Sequence, residues 1–215
     1  MKKQLKVLLP LTLAITAIAA IAAIAGHAGT AKSAPTASTA ASAARCVKYA
    51  GVESSGNKNS MDPAQQPSSQ NSLNMNASYD RLTTENDNWK VLPSLATSWK
   101  SNKSGTVWTF QLRKGVKFWT GKPFTSADVV YTFRRVLDPK TGSEGASQMS
   151  FLKPSGIQAA GPYAVTFTTA KPVAELPLLI TNKNTFIVQN GASTNTLRTK
   201  GAGTGPFIPD RKSVV

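Results

Sequence analysis

The chain has 215 residues, with 25 Lys and Arg against 10 Asp and Glu for a net charge of +15, and it holds a single His and a single Cys. That length suits one sizeable domain at the usual figure of about 100–200 residues per domain, and one cysteine excludes an internal disulfide or a multi-cysteine zinc site. A surface this basic admits nucleic acid, anionic lipid or an anionic cell wall as partners.

Lys2, Lys3 and Lys6 precede an apolar run from Val7 to Ala25, and Gly26-His27-Ala28 offers small residues where a signal peptidase cuts. Residues 1–28 therefore read as an export leader. A retained membrane anchor is the alternative, because the run has 19 residues and a spanning helix needs about 20. Its alanines and Pro10 make it weakly apolar, which favours cleavage. His27 lies at the expected cut, so no histidine remains for a metal site or a catalytic dyad. Residues 29–46 are nearly all Ala, Ser and Thr around Lys32 and Pro35, too poor in large apolar groups to pack, and read as a flexible spacer. Cys46 is the one candidate for lipidation, but Arg45 replaces the small residue that a lipobox needs, and lipidation there is not expected.

The stretch from Glu53 to Gln70 is rich in Ser, Asn, Gln and Pro and reads as a solvated loop. Trp108, Phe110 and Leu112 then alternate with Thr109 and Gln111, which predicts a strand with one face in the core. Arg113-Lys114-Gly115 turns the chain, and Val116, Phe118 and the run to Pro123 predict a second short strand. Thr125 precedes SADVVYTFRRVL with Asp128 three residues on, the pattern of a capping box. Val129, Phe133 and Val136 recur at helical spacing behind it, and Arg134 and Arg135 sit at the C-terminal end, where cations are favoured.

After a turn at Gln158 to Pro162, Tyr163, Val165 and Phe167 alternate with small polar residues and predict another strand, which Lys171-Pro172 breaks. A short helix is predicted from near Pro172 across Val173 to Ile180, disturbed at Pro177. Gly201 to Gly205 is glycine-rich, but no Lys-Ser/Thr follows, so it reads as a backbone turn rather than a phosphate loop. Carboxylates are few and none pairs with a nucleophile motif, so no enzyme and no cofactor is inferred. The cations are dispersed without a nucleic-acid motif, and most aromatics apart from Trp119 occupy core-facing positions, which argues against nucleic acid.

Five blocks occur in order: Ser60-Met61-Asp62-Pro63; Asn76 to Leu82; Leu92 to Trp99; Thr106 to Pro139; and Gly203-Thr204-Gly205-Pro206-Phe207. Together they resemble bacterial extracellular solute-binding proteins of family 5, the peptide/nickel class. Two positions depart from that pattern: Arg81 stands where Gly is usual, and Thr120 where Asp is usual.

The resemblance implies an α/β, periplasmic-binding-protein-like fold of class II, cluster C. Its two lobes close over a ligand by a hinge motion, and only the N-terminal part of lobe I with its inserted subdomain is expected here. It further implies residues 47–207 as the N-terminal part of the solute-binding domain, a peptide ligand, an ABC permease partner, a monomer, and an exported location. Ser68 and Ser69, together with Gln148, Met149 and Phe151, fall where first-lobe contacts with ligand are expected. Residues 208–215 are expected to be non-native, because one codon choice for Asp210 to Val215 spells a sequencing-library adapter. An exported basic module that binds anionic wall polymer, or a nonfunctional fragment, is the alternative.

Overall fold

The computed structural model of the chain describes residues 60–65 and 72–208, and of residues 72–74 the backbone only. All of these fall in one compact unit bounded by Val47 and Val215; a second unit, Met1–Cys46, lies outside the described residues.

A four-stranded antiparallel sheet carries the unit. Its strands are β3 (Ala96–Ser101), β4 (Val107–Leu112), β5 (Leu152–Ala159) and β6 (Ala164–Thr169), in the spatial order β3-β4-β6-β5. A small hairpin of β1 (Thr83–Glu85) and β2 (Val91–Pro93) precedes it. Phe110 opposes Val165 and Trp108 opposes Phe167, so the alternating apolar residues of β4 and β6 share one face. The helix α2 (Ser126–Leu137) contributes Val129, Phe133 and Val136 to the core that covers this face. Phe133 has no exposed surface, and its ring meets Phe167 edge-on at a centroid distance of 4.9 Å. That geometry adds favourable quadrupole contact to simple area burial.

The start of α2 is built as its sequence predicts. The Asp128 carboxylate accepts from the Thr125 backbone N–H at 2.8 Å and from its hydroxyl at 3.1 Å, while its other oxygen takes the Asn190 N–H at 2.8 Å. One side chain therefore caps the helix and fixes a distant loop to it.

Among the described residues there are also four shorter α-helices: α1 (Ser72–Ser78), α3 (Gly145–Gln148), α4 (Leu176–Leu179) and α5 (Thr194–Thr199). A second, smaller core lies around Met75, Tyr79, Phe186, Val188 and Leu197. The Gly203 backbone passes so close to α1 that a β-carbon there would stand 2.0 Å from the Ser78 carbonyl oxygen. No larger residue fits while that contact is kept.

Two expectations need correction, and one strand lies outside them. Residues 116–123 form no strand beyond a single bridge between Lys117 and Pro123, because the chain reverses at Gly121, where φ is +84°, and Pro123 has no N–H to extend the ladder. The helix expected from near Pro172 starts only at Leu176, with Pro177 in its first turn, where a missing N–H costs nothing. The strand β5 was not expected at all. Its sequence, LKPSGIQA, lacks alternation because the register shifts between Leu152 and Ile157.

Phe133→Ala is expected to destabilise the unit by about 3–5 kcal/mol, the range for removing a fully buried aromatic ring. Urea unfolding followed by circular dichroism measures this, and a loss below about 1 kcal/mol would mean that α2 does not pack on the sheet as described.

Candidate functional site

The segment from Ser60 to Gln65, which ends in a 3-10 turn over Pro63–Gln65, is tied to five residues elsewhere in the unit. Asp62 is fully buried, and the Arg135 guanidinium donates to both its carboxylate oxygens at 2.7 and 2.5 Å. Asp62 also accepts from the Ala64 N–H at 3.1 Å. Around this pair the Met61 carbonyl accepts from the Tyr79 hydroxyl at 2.7 Å, the Pro63 carbonyl from Asn184 Nδ2 at 3.0 Å, and the Arg198 carbonyl from the Met61 N–H at 3.3 Å. Gln65 Nε2 reaches the Thr141 carbonyl at 2.9 Å. Burial pushes the Tyr79 phenol well above its ordinary range, and its oxygen is held by the Ala202 N–H at 3.1 Å.

Next to this clasp an open groove of about 840 Å³ runs along α2, with Gln65 and Thr141 among its lining residues, together with Tyr131, Arg134, Arg135 and Asn190. Its two arginines are already engaged. Arg135 holds Asp62, and Arg134 donates to the carbonyls of Pro154 at 3.1 Å and Ile157 at 2.9 Å. Beside Asp138 and Lys140, what remains is amide and hydroxyl chemistry suited to hydrogen-bonding a polar ligand, with no nucleophile paired to a base. Among the described residues no three His, Cys, Asp or Glu side chains come together as a metal site.

Residues 90–213 match the family model of bacterial extracellular solute-binding proteins, family 5 Middle. The chain belongs to this family. It is 41% identical over 63 residues to the periplasmic murein peptide-binding protein MppA of Escherichia coli, a match covering 29% of this chain and 12% of that one. It is 32% identical over 136 residues to protein XP55 of Streptomyces lividans, covering 60% of this chain and 24% of that one. The fold is similar to that of OppA from Burkholderia pseudomallei, with a TM-score of 0.62 at 29% identity over 70% of this chain and 33% of that one. The fold class is therefore that of the family 5 binding proteins, and the chain spans about a third of the solved chain it resembles.

Of the ligand contacts expected for a family 5 protein, Ser68 and Ser69 lie outside the described residues, as does Cys46. Gln148 is exposed at the end of α3, and its Oε1 accepts from Asn182 Nδ2. Phe151 is half-buried and packs on the main core. Met149 is a correction: it has 0% exposure and belongs to the main core, because the short α3 turns it inward beside Val136, and it presents no surface to a ligand. The loop from Asn182 to Asn184 is not among the expected contacts. It meets Gln148 through Asn182, its Lys183 pairs with Glu144 at 3.2 Å, and Asn184 Oδ1 finds no partner among the described residues. Nothing in the local sequence signals that contact, since it spans 34 residues of chain.

The two departures from the family pattern are both accommodated. The Arg81 guanidinium lies 4.0 Å over the Phe186 ring and donates to Asn76 Oδ1 at 3.2 Å, and burial lowers its pKa. The Thr120 hydroxyl donates to Gln189 Oε1. Trp119 is half-buried, with its indole N–H on the Gly205 carbonyl at 2.9 Å.

Asp62→Ala leaves Arg135 as a buried cation without its partner and is expected to cost about 3–5 kcal/mol, whereas Asp62→Ala with Arg135→Met restores much of that loss. Denaturant midpoints of the two variants decide the point; equal losses would show that the pair does not act as a unit. Alkali supplies a second test. With its folded pKa raised, Tyr79 keeps its proton in the folded chain while the unfolded phenol ionises at about pH 10, so stability is complete below that pH and falls as pH rises above it, by up to about 1.4 kcal/mol per pH unit. Tyr79→Phe should remove this component, visible as a flatter dependence of the urea midpoint between pH 9 and 12.

Proposed function

We propose that this chain is the solute-capturing component of an ABC importer and that its solute is an oligopeptide or dipeptide. Membership of family 5 carries this reading. The name of the similar Escherichia coli protein, a murein peptide-binding protein, supports the ligand class. In this role the chain works outside the cytoplasmic membrane, takes up a peptide as a monomer, and delivers it to a membrane permease without chemical change. Among the described residues no helix is long and apolar enough to cross a membrane.

The proposed first-lobe contacts are Ser68, Ser69, Gln148 and Phe151, with Asn182 holding the Gln148 amide in position. Such contacts suit an extended peptide, whose amides can be met by side-chain amides and hydroxyls while varied side chains remain in wet space. Native mass spectrometry of the purified chain with a mixture of short peptides tests the reading. Peptide adducts are expected, and Gln148→Ala should weaken them by up to about tenfold, the cost of one neutral hydrogen bond. Retention of a nickel–histidine complex with no peptide adduct would overturn the ligand assignment.

A further inference from the structure

Residues 88–127 carry seven cations, Lys90, Lys100, Lys103, Arg113, Lys114, Lys117 and Lys122, and no carboxylate. Four of the seven fall in ten residues, in the loop between β4 and α2. That loop folds back on itself: the Phe118 N–H donates to the Lys122 carbonyl at 2.9 Å, Lys117 opposes Pro123, and the Phe124 N–H donates to the Val116 carbonyl at 2.9 Å. Phe118 and Phe124 are turned into the core, with their rings 6.4 Å apart, which leaves Lys117 and Lys122 outward. Arg113, Lys114, Lys117 and Lys122 are all exposed, and among the described residues none forms an ion pair; the two pairs recorded there are Arg135 with Asp62 and Lys183 with Glu144. Lys200 is exposed next to Gly201, whose backbone packs beside the Trp119 ring of the same loop.

We propose that the loop from Arg113 to Lys122 is an electrostatic docking surface for an anionic lipid bilayer. Unpaired cations gathered without a compensating carboxylate raise the free energy of the isolated fold, and an external polyanion relieves that repulsion. The exposed large apolar residues of the unit, Trp89, Leu179, Phe207 and Ile208, all lie outside this loop. It therefore has neither the aromatic anchor of a protein–protein hot spot nor the stacking platform of a nucleic-acid surface. Long lysine stems reach phosphate head groups without needing a fixed register. A chain read as carrying an export leader meets the outer leaflet first, and loose docking there would hold it near the membrane without insertion. The proposal is independent of which solute the chain binds.

The test is co-sedimentation of the full chain with vesicles of phosphatidylcholine alone or mixed with phosphatidylglycerol, at low and high salt. Binding is expected only to the mixed vesicles and should be lost at high salt. Each lysine near a charged bilayer changes partitioning about fivefold, so Lys114→Glu, Lys117→Glu and Lys122→Glu together should reduce it by well over tenfold. A matched variant at the exposed Lys140, Lys153 and Lys171, again to Glu, carries the same charge change elsewhere and should keep most of the binding. The neutral Gln versions of the loop variant, checked for unchanged melting, separate lost contact from misfolding. Equal loss in the matched variant would show that net charge alone is responsible and overturn the proposal. So would equal binding to neutral vesicles, or retention on anionic wall polymer with no binding to mixed vesicles.

Discussion

The buried charge of Asp62 constrains more of this unit than any other single group. A carboxylate with no exposure is tolerable only when a cation and further donors satisfy it, and Arg135 together with the Ala64 N–H does so. Arg135 lies one residue from Val136 and two from Phe133, both in the core under the sheet. The rotation of α2 about its axis is thus set from two sides: Phe133 and Val136 must meet the sheet while Arg135 meets Asp62. Arg134 adds a third restraint by donating to the carbonyls of Pro154 and Ile157 in β5. A helix placed by apolar contact alone can slide or turn at modest cost; three directional restraints leave one arrangement.

The same economy holds around Tyr79. Its ring packs against Trp119 and Phe186 at centroid distances of 5.7 and 6.2 Å, and its hydroxyl bridges the Met61 carbonyl and the Ala202 N–H. The apolar ring thereby seals the smaller core while its polar tip joins residue 61 to residue 202. The glycines that follow bring the chain against the end of α1, where the Gly205 N–H and the Phe207 N–H donate to the carbonyls of Ser78 and Ala77. Segments far apart in sequence are joined through backbone groups, and that leaves little side-chain signature.

This explains which parts of the fold were legible. The strands β4 and β6 and the helix α2 each bury one face against one partner, so their apolar residues recur at the period of the element. The capping box at Thr125 and Asp128 is a local device and was equally readable. The strand β5 was not, because its bulge and Pro154 break the alternation and its pairing with β6 is the only thing that makes it a strand. The burial of Met149 is illegible for a related reason. Its position relative to Gln148 follows from the single turn of α3, and one residue of register decides between facing solvent and joining the core.

The distribution of charge separates two tasks that a basic composition would otherwise merge. In the groove beside α2 the arginines are committed, Arg135 to Asp62 and Arg134 to backbone carbonyls, so their charge serves the fold and the groove offers a ligand mainly neutral hydrogen-bonding groups. In the loop before α2, Lys117 and Lys122 have no such commitment and Lys114 only stands 5.7 Å over the Tyr163 ring, and no carboxylate occurs between residues 88 and 127 of the sequence. A cation that holds a fold must be fixed and desolvated, whereas attraction to a charged surface requires mobile cations that remain hydrated until contact. Arginine in the groove and lysine in the loop meet these opposite requirements, so the cations that hold the fold and those left free on the surface can be altered separately by substitution.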